Sequence, residues 1–577
     1  MDNSKPCIVQ HDRMVLLECG HCAFEEAREQ LSFYAELVKS PSSFHTYRIT
    51  PLSLWNAAAL GWSATRVVDS LHSMSRWDVP LGLIQDIRDL VSRYGKLTLE
   101  VDPNVPYQLI LKSADTQLMD EVIQRVGMLL LGMRRISMTE MAFHGARRGW
   151  MKQELTRLGY PVIDLAGYDD GQRLSFSWKE AGAKESFQLR DYQKDAVKAF
   201  EGLPGSGGSG VVVLPCGGGK TVIGMAVMER LQCETLILTS NTTSVRQWMD
   251  EIALKTTLVA SEIGEYSGQR KEVKPVTVAT YQILTHRRTK DSEFEHMKLF
   301  NERQWGLIIY DEVHLLPAPV FRATAEIQAT RRLGLTATLV REDGCEQDVF
   351  SLVGPKRYDM PWRQLELKGW IAKVDCVEIR VPMSIDLKDK YHCAEGKHKF
   401  RIAAENPAKL TVISRILQQH PQSCVLVIGQ YLDQLEWISA SIGAPLISGK
   451  MSQQERNGLY DSFRRGEVRI LVVSKVANFA VDLPDASVAI EVSGSFGSRQ
   501  EEAQRLGRIL RPKSADNRAY FYTLVTKDSK EEDFAIQRQM FLIEQGYEYA
   551  IQVQPDPDML TSINMKDRYI KGGHILQ

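Results

Sequence analysis

From about residue 210 onward, short apolar runs that stop at turn residues alternate with helical patterns of ten or more residues. The first set of runs is Val211–Leu214, Leu236–Leu238, Val276–Ala279, Leu307–Tyr310 and Leu333–Thr336. A second set begins after about residue 370, with Val425–Ile428, Ile470–Val473, Val488–Val492 and Tyr520–Leu524. Strands that are apolar on both faces need cover on both faces, and parallel neighbours need a long crossover, usually a helix. The rhythm therefore predicts an α/β fold with two parallel-sheet domains in tandem, over residues 186–362 and 363–552, and a tail over 553–577.

The 577 residues leave room for further domains ahead of these two. Apolar residues recur at helical spacing from Phe24 to Lys39, and Pro51, Ser63 and Pro80 precede further helix-like runs, so residues 1–95 read as mostly helical. Residues 96–185 change character and predict a small α+β unit followed by a linker. Strands are expected at Leu97–Val101, Tyr107–Leu111 and Ile136–Met138, and helices at Thr116–Leu131 and Arg147–Leu158. The Gly/Ser-rich stretch Gly202–Gly210 follows close behind the linker. No repeat of fixed period is present.

Lys and Arg number 71 against 72 Asp and Glu, a net charge of −1. That balance argues against holding nucleic acid or a membrane by bulk charge, so any anionic partner must be met locally. Nine cysteines are too few and too scattered for a disulfide framework. Only Cys19 and Cys22 fall in a CxxC spacing, and without a second ligand pair they predict no zinc site. The N-terminus lacks an apolar stretch after a basic start, and Val126–Met133 is far too short to cross a bilayer. A cytoplasmic chain without membrane partners is the expectation.

The chemistry concentrates where strands end. Val211–Leu214 runs into Pro215-Cys216-Gly217-Gly218-Gly219-Lys220-Thr221 and then a helical pattern, the context a phosphate loop requires. The glycines let backbone N–H groups close on phosphates, Lys220 reaches the β and γ oxygens, and Thr221 can hold Mg²⁺. Leu214 stands where the generic pattern has its first glycine. Ninety residues on, a second strand delivers Asp311-Glu312-Val313-His314. Asp311 is placed to hold the metal of a bound triphosphate, and Glu312 to accept a proton from attacking water. In the second α/β domain, Gln504-Arg505-Leu506-Gly507-Arg508-Ile509-Leu510-Arg511 puts Gln504, Arg508 and Arg511 on one face if the segment is helical. Arginines so presented can stabilise charge developing on a γ-phosphate. A mid-helix Gly507, costing about 1 kcal/mol against Ala, argues that this is not an ordinary solvated face.

Phosphate loop, Thr239-Ser240-Asn241-Thr242-Thr243-Ser244-Val245-Arg246-Gln247-Trp248, DEVH, Thr336-Ala337-Thr338 and QRLGRILR occur in the order of superfamily 2 helicases. The chain resembles the XPB-type DNA helicases of that superfamily. Arg341-Glu342-Asp343 is similar to the family's RED motif, and Gly369-Trp370-Ile371-Ala372-Lys373 and Asn406-Pro407-Ala408-Lys409 to its connecting segments. The likeness covers roughly residues 187–525, and PCIVQHDRMVLLE with YRITPLSLWNAA resembles the family's N-terminal region.

What the resemblance implies is two tandem RecA-like domains, preceded by a helical and α+β N-terminal region, that use ATP and Mg²⁺ to move 3′–5′ along DNA. Arg508 and Arg511 would be arginine fingers, Gln504 a γ-phosphate sensor, and Gln193 in Leu189-Arg190-Asp191-Tyr192-Gln193 a reader of adenine. Thr336 and Thr338 would couple the nucleotide to DNA. Strand contacts would be made by Asn241, Thr242 and Arg246 in the first domain and by Ser474, Lys475, Ser498 and Arg499 in the second. Arg341, Glu342 and Asp343 would act as a wedge near a duplex junction. Residues 96–165 would be the family's damage-recognition-like unit, with Arg134, Arg135, Arg147 and Arg148 as basic contacts, although the residues themselves carry no signature of lesion recognition. Single-stranded, forked or duplex DNA would be the partner, and a role in DNA repair beside a nuclease or another repair protein follows from the same likeness. Two other readings stay open: a translocase on double-stranded DNA that does not separate strands, and an ATP-operated scaffold that clamps DNA.

Overall fold

The computed structural model describes residues 2, 4–41, 43–126, 133–179, 188–202, 207–289, 292–339, 344–474, 486–494, 498–512 and 517–555. Its contacts divide it into two compact units, Met1–Pro215 with Gly219–Pro361, and Cys216–Gly218 with Trp362–Gln577.

The first unit holds three sheets. Strands β1 (Cys7–Val9), β2 (Met14–Glu18), β3 (Glu36–Lys39) and β4 (Phe44–Arg48) form an antiparallel sheet in the order β1-β2-β4-β3. The expectation of a mostly helical start is corrected here. Apolar spacing carries a helix only over Phe24–Tyr34, and the chain then turns extended. In β2 the burial alternates residue by residue, and in β4 His45 and Tyr47 face inward, a period-two pattern too short to stand out against the helices around it. The helices Pro51–Ala59, Ala64–Met74 and Leu81–Arg93 complete this region. Asn56 from the first of them accepts the Lys356 N–H through Oδ1 at 3.1 Å.

The next sheet comprises β5 (Leu97–Val101), β6 (Gln108–Ser113), β7 (Arg134–Arg135), β8 (Glu140–His144) and β9 (Val162–Asp164), in the order β7-β8-β6-β5-β9. The expected strand at Ile136–Met138 is instead a turn between β7 and β8, both of whose backbone amides at Ile136 and Ser137 bond to Glu140 O. The helix Arg148–Arg157 packs its Gly149 directly on the backbone of Ala325, so closely that a β-carbon there would overlap it. Beside that contact Lys152 Nζ bonds to Asp164 Oδ2 at 3.0 Å and to Gln328 Oε1 at 2.9 Å, fastening the small sheet to the large parallel sheet that follows.

That parallel sheet has β10 (Ser209–Val213), β11 (Thr235–Thr239), β12 (Ile263–Tyr266), β13 (Val276–Thr280), β14 (Leu307–Asp311), β15 (Arg331–Thr336) and β16 (Lys356–Asp359). All pairings are parallel, in the order β12-β13-β11-β14-β15-β10-β16. Every residue of β10, β11 and β13 is buried, as strands covered on both faces must be.

The second unit repeats the plan with β17 (Lys373–Val381), β18 (Val425–Ile428), β19 (Leu446–Ile447), β20 (Ile470–Val473), β21 (Val488–Glu491), β22 (Arg518–Thr526) and β23 (Tyr549–Val553). Its order is β19-β20-β18-β21-β22-β17-β23, again all parallel. Among the described residues no helix is long and apolar enough to cross a membrane.

Candidate nucleotide site and the arginine segment

In a parallel sheet every strand points the same way, so the residues that follow the strands gather along one edge. The loop after β10 leads to the helix Lys220–Leu231, whose N-cap is Gly219 in the left-handed region at φ 80°. Gly217 has φ 78°. At Gly219 a β-carbon would lie 2.5 Å from Gln193 Nε2, so only glycine lets the loop close over that amide. Gln193 is buried, and its Oε1 accepts the Arg190 N–H at 2.9 Å, which aims the amide nitrogen at the loop.

Asp311 and Glu312 follow from β14. Asp311 Oδ2 accepts the indole N–H of Trp248 at 2.9 Å, and its carbonyl accepts the Tyr281 hydroxyl at 2.9 Å. Burial and the neighbouring Glu312 push the Asp311 carboxyl up to about 6, against the opposing pull of the Trp248 hydrogen bond and Lys220. Glu312 has left-handed backbone at φ 52°, which a non-glycine residue adopts at a cost of about 1 kcal/mol or more. From that position its Oε1 lies 3.5 Å from Lys220 Nζ and its Oε2 3.5 Å from His314 Nδ1. His314 Nδ1 is in turn 2.6 Å from Thr336 Oγ1, at the end of β15, so the acid pair is tied to the Thr336-Ala337-Thr338 segment.

The donor set fits a magnesium–triphosphate group. Two left-handed glycines turn the loop, an ammonium and two carboxylates stand at one strand edge, and Trp248 and the Glu312 N–H orient the Asp311 carboxylate. Lys220, Asp311, Glu312, Gln193 and Gly219 thus come together at the sheet edge, with Thr221 next to Lys220 at the start of its helix.

The strand-contact candidates divide. Asn241 caps the helix Thr242–Lys255, its Oδ1 accepting the N–H groups of Thr243 and Ser244 at 3.0 Å each. Thr242 opens that helix, and Arg246 donates to Gln269 Oε1 at 3.1 Å. In the second unit Ser474 is buried just after β20, and its hydroxyl has no hydrogen-bond partner among the described residues. Ser498 caps the helix Arg499–Gly507 and accepts the Glu501 N–H at 3.2 Å, while Arg499 donates to Met540 Sδ. Arg341, Glu342, Asp343 and Lys475 lie outside the described residues. Of the basic residues expected to serve the small α+β unit, Arg148 is corrected. It is buried and binds Asp164 through two nitrogens at 2.9 and 2.8 Å, so it is structural. Arg134 and Arg135 are exposed.

The arginine segment also departs from expectation. The helix ends at Gly507, with Arg508 as its C-cap and Arg511 in the bend beyond. Gln504, Arg508 and Arg511 therefore do not share a helical face, and Gly507 terminates the helix rather than interrupting it, in keeping with its poor propensity. Gln504 is buried, and its amide oxygen has no hydrogen-bond partner among the described residues. Arg505 escaped the sequence reading although it stands within the same motif. It is fully buried, donating to Glu491 Oε1 at 2.6 Å, and Arg538 lies 3.3 Å from the same oxygen and 3.4 Å from Glu502 Oε2.

Comparison with known proteins gives this geometry a family. Family models match at residues 7–137 (helicase conserved C-terminal domain), 186–341 (type III restriction enzyme, res subunit) and 365–569 (ERCC3/RAD25/XPB C-terminal helicase). The DNA 3′-5′ helicase XPB of Mycobacterium tuberculosis is 52% identical over 551 residues, 96% of this chain and 98% of that protein. The chain belongs to the XPB family of DNA helicases. A second XPB relative, the DNA 3′-5′ helicase XPB of Kineococcus radiotolerans, is 51% identical across 96% of this chain and 97% of its own length. More distantly, the general transcription and DNA repair factor IIH helicase/translocase subunit XPB of Antonospora locustae is 31% identical, covering 94% of this chain and 81% of that protein. This XPB-type helicase thus carries a seven-stranded parallel sheet in each of its two units.

Proposed function

We propose that this chain uses ATP, held with Mg²⁺ at the edge of the first helicase sheet, to drive 3′–5′ movement along DNA and to separate its strands. Backbone amides of Cys216–Gly219 cradle the phosphates, Lys220 meets the β and γ oxygens, and Gln193 reads the adenine edge. Thr221 and Asp311 would hold Mg²⁺, which neutralises charge on the phosphoryl oxygens. Glu312 accepts the proton of the attacking water. Arg508 and Arg511 stabilise the developing γ-phosphate charge and Gln504 senses it. Asn241, Thr242, Arg246, Ser474, Lys475, Ser498 and Arg499 bind the strand through its phosphates, and Arg341–Asp343 meet the duplex junction. We further propose DNA repair in the cytoplasm as the setting, beside a nuclease or another repair protein.

The observation that carries this reading is the pairing of Lys220 with Glu312 at 3.5 Å, made possible by left-handed backbone at Glu312. Left-handed backbone at a non-glycine residue beside the phosphate loop supports reading Glu312 as the carboxylate that accepts the proton. The test is ATP hydrolysis with and without single-stranded and forked DNA. Wild-type turnover is expected to rise with DNA, and Glu312→Gln to lower it about a hundredfold or more while nucleotide binding persists. Turnover indifferent to DNA would overturn the reading. Fork unwinding set against displacement of a triplex strand then separates a helicase from a double-strand translocase.

A further inference from the structure

Trp248 belongs to no catalytic list, yet it touches three parts of the first unit at once. It lies on the helix Thr242–Lys255, whose first turn follows Asn241 and carries Thr242 and Arg246. It is buried, and its indole N–H donates to Asp311 Oδ2 at 2.9 Å. Its ring edge fits against Gly224 in the phosphate-loop helix, where a β-carbon would lie 2.5 Å from Cη2. One rigid side chain thus joins the helix that begins at the strand contacts, the carboxylate that would take the metal, and the helix that begins at Lys220.

We propose that Trp248 is a positioning residue that couples DNA binding to nucleotide hydrolysis. A strand held at Asn241, Thr242 and Arg246 settles the start of the helix, and a helix moves as a rigid body over so short a distance. Trp248 follows on the same helix and carries the shift to Asp311 through a single directional hydrogen bond. The same indole that bonds Asp311 fills the space at Gly224, so a shift of the ring displaces its N–H from the carboxylate. The proposal rests on the function proposed above and adds the route by which the strand reaches the metal ligand.

The experiment uses the full chain with Trp248→Phe, which keeps an aromatic ring and removes the N–H, and with Gly224→Ala, which pushes on the ring and keeps the N–H. Thermal unfolding confirms folding of each. Binding of labelled single-stranded DNA without nucleotide is expected to stay within about twofold of wild type. The Mg²⁺ concentration for half-maximal hydrolysis is expected to rise about tenfold in Trp248→Phe, the scale of losing a hydrogen bond to a charged group. Binding of Mn²⁺ in the presence of ADP, followed by its paramagnetic resonance, is expected to weaken in parallel, and the stimulation by DNA to fall to less than half. Should Trp248→Phe fail to fold, Gly224→Ala decides by the same readouts. Variants that keep wild-type metal dependence and full DNA stimulation overturn the coupling role alone. Loss of DNA affinity itself also overturns it, because the residue would then shape the binding surface. A wild-type rate indifferent to DNA overturns the proposed function, and the coupling with it.

Discussion

Arg505 and Arg508 lie about one helical turn apart in the same motif, and the proposed function gives them different work. Arg505 is fully buried and locked to Glu491, which Arg538 also faces, so two guanidinium groups hold one carboxylate charge inside the second unit. Glu502, beside them, is pushed well up by burial and by Glu491. Removing Arg505 leaves Glu491 to Arg538 alone and deletes a short buried hydrogen bond to a charged group, together with the contact to Glu501. Arg505→Met is therefore expected to lower stability by about 3 kcal/mol, read as a fall in the urea midpoint. Arg508, the C-cap, is half-exposed. Arg508→Ala is expected to leave that midpoint nearly unchanged and to cut turnover about a thousandfold, the scale of an arginine finger. A variant pair in which the two effects exchange would reverse the assignment. The sequence marks the motif's arginines without distinguishing them, because chemistry and burial both select arginine and only packing separates the roles.

Among elements, one acid anchors the basic residues on the small-sheet side of its junction with the first helicase sheet, where Lys152 also reaches Gln328. Asp164, at the end of β9, sits between Arg148 at 2.8 Å and Lys152 at 3.0 Å, all three buried. Burial alone would raise its carboxyl, but Lys152 and Arg148 more than reverse this and hold it well below the ordinary carboxylate range. A depressed folded pKa adds stability that is complete above the unfolded value near 3.9 and is lost as pH falls below it toward the folded value. Asp164→Asn is expected to cost about 3 kcal/mol at pH 7, with the gap to wild type closing as the urea midpoint is followed below about pH 4. A gap independent of pH would mean that shape, not charge, holds the junction. Elements of this kind were the least legible in the sequence. The strands Val425–Ile428 and Ile470–Val473 lie where their apolar runs place them, because central parallel strands are apolar on both faces. Lys356–Asp359 and Lys373–Val381 were missed, since charged residues interrupt them and their order comes from pairing across the sheet. The phosphate loop and the acid pair could be read for the same reason as the central strands, each being a short motif at a strand end. Trp248 stood inside a segment already singled out, but a tryptophan reads as core until its N–H is seen to meet a carboxylate.

At the scale of the whole molecule, a net charge of −1 has to be reconciled with a polyanionic partner. Affinity for single-stranded DNA falls with salt at a logarithmic slope of about −0.7 for each phosphate neutralised by a cation. The proposed strand contacts include three cationic side chains, Arg246, Lys475 and Arg499, and otherwise hydroxyls, an amide and backbone N–H groups, which displace few counterions. The expected slope for the full chain without nucleotide is therefore shallow, about −2, where a broad basic surface neutralising ten phosphates would give about −7. Fluorescence anisotropy of a labelled oligonucleotide, titrated across a range of potassium acetate concentrations, measures it directly. Replacing Arg246 by Gln should reduce the slope by less than one while weakening binding uniformly across sequences, as a phosphate contact does. A slope near −7 would place an additional basic surface on the DNA path, and the exposed Arg134 and Arg135 on the small sheet would be the first residues to replace. A shallow slope has a mechanical consequence: a motor that holds its track by few charges, and mainly by hydroxyls and backbone amides, can release one phosphate and take the next without a large electrostatic barrier.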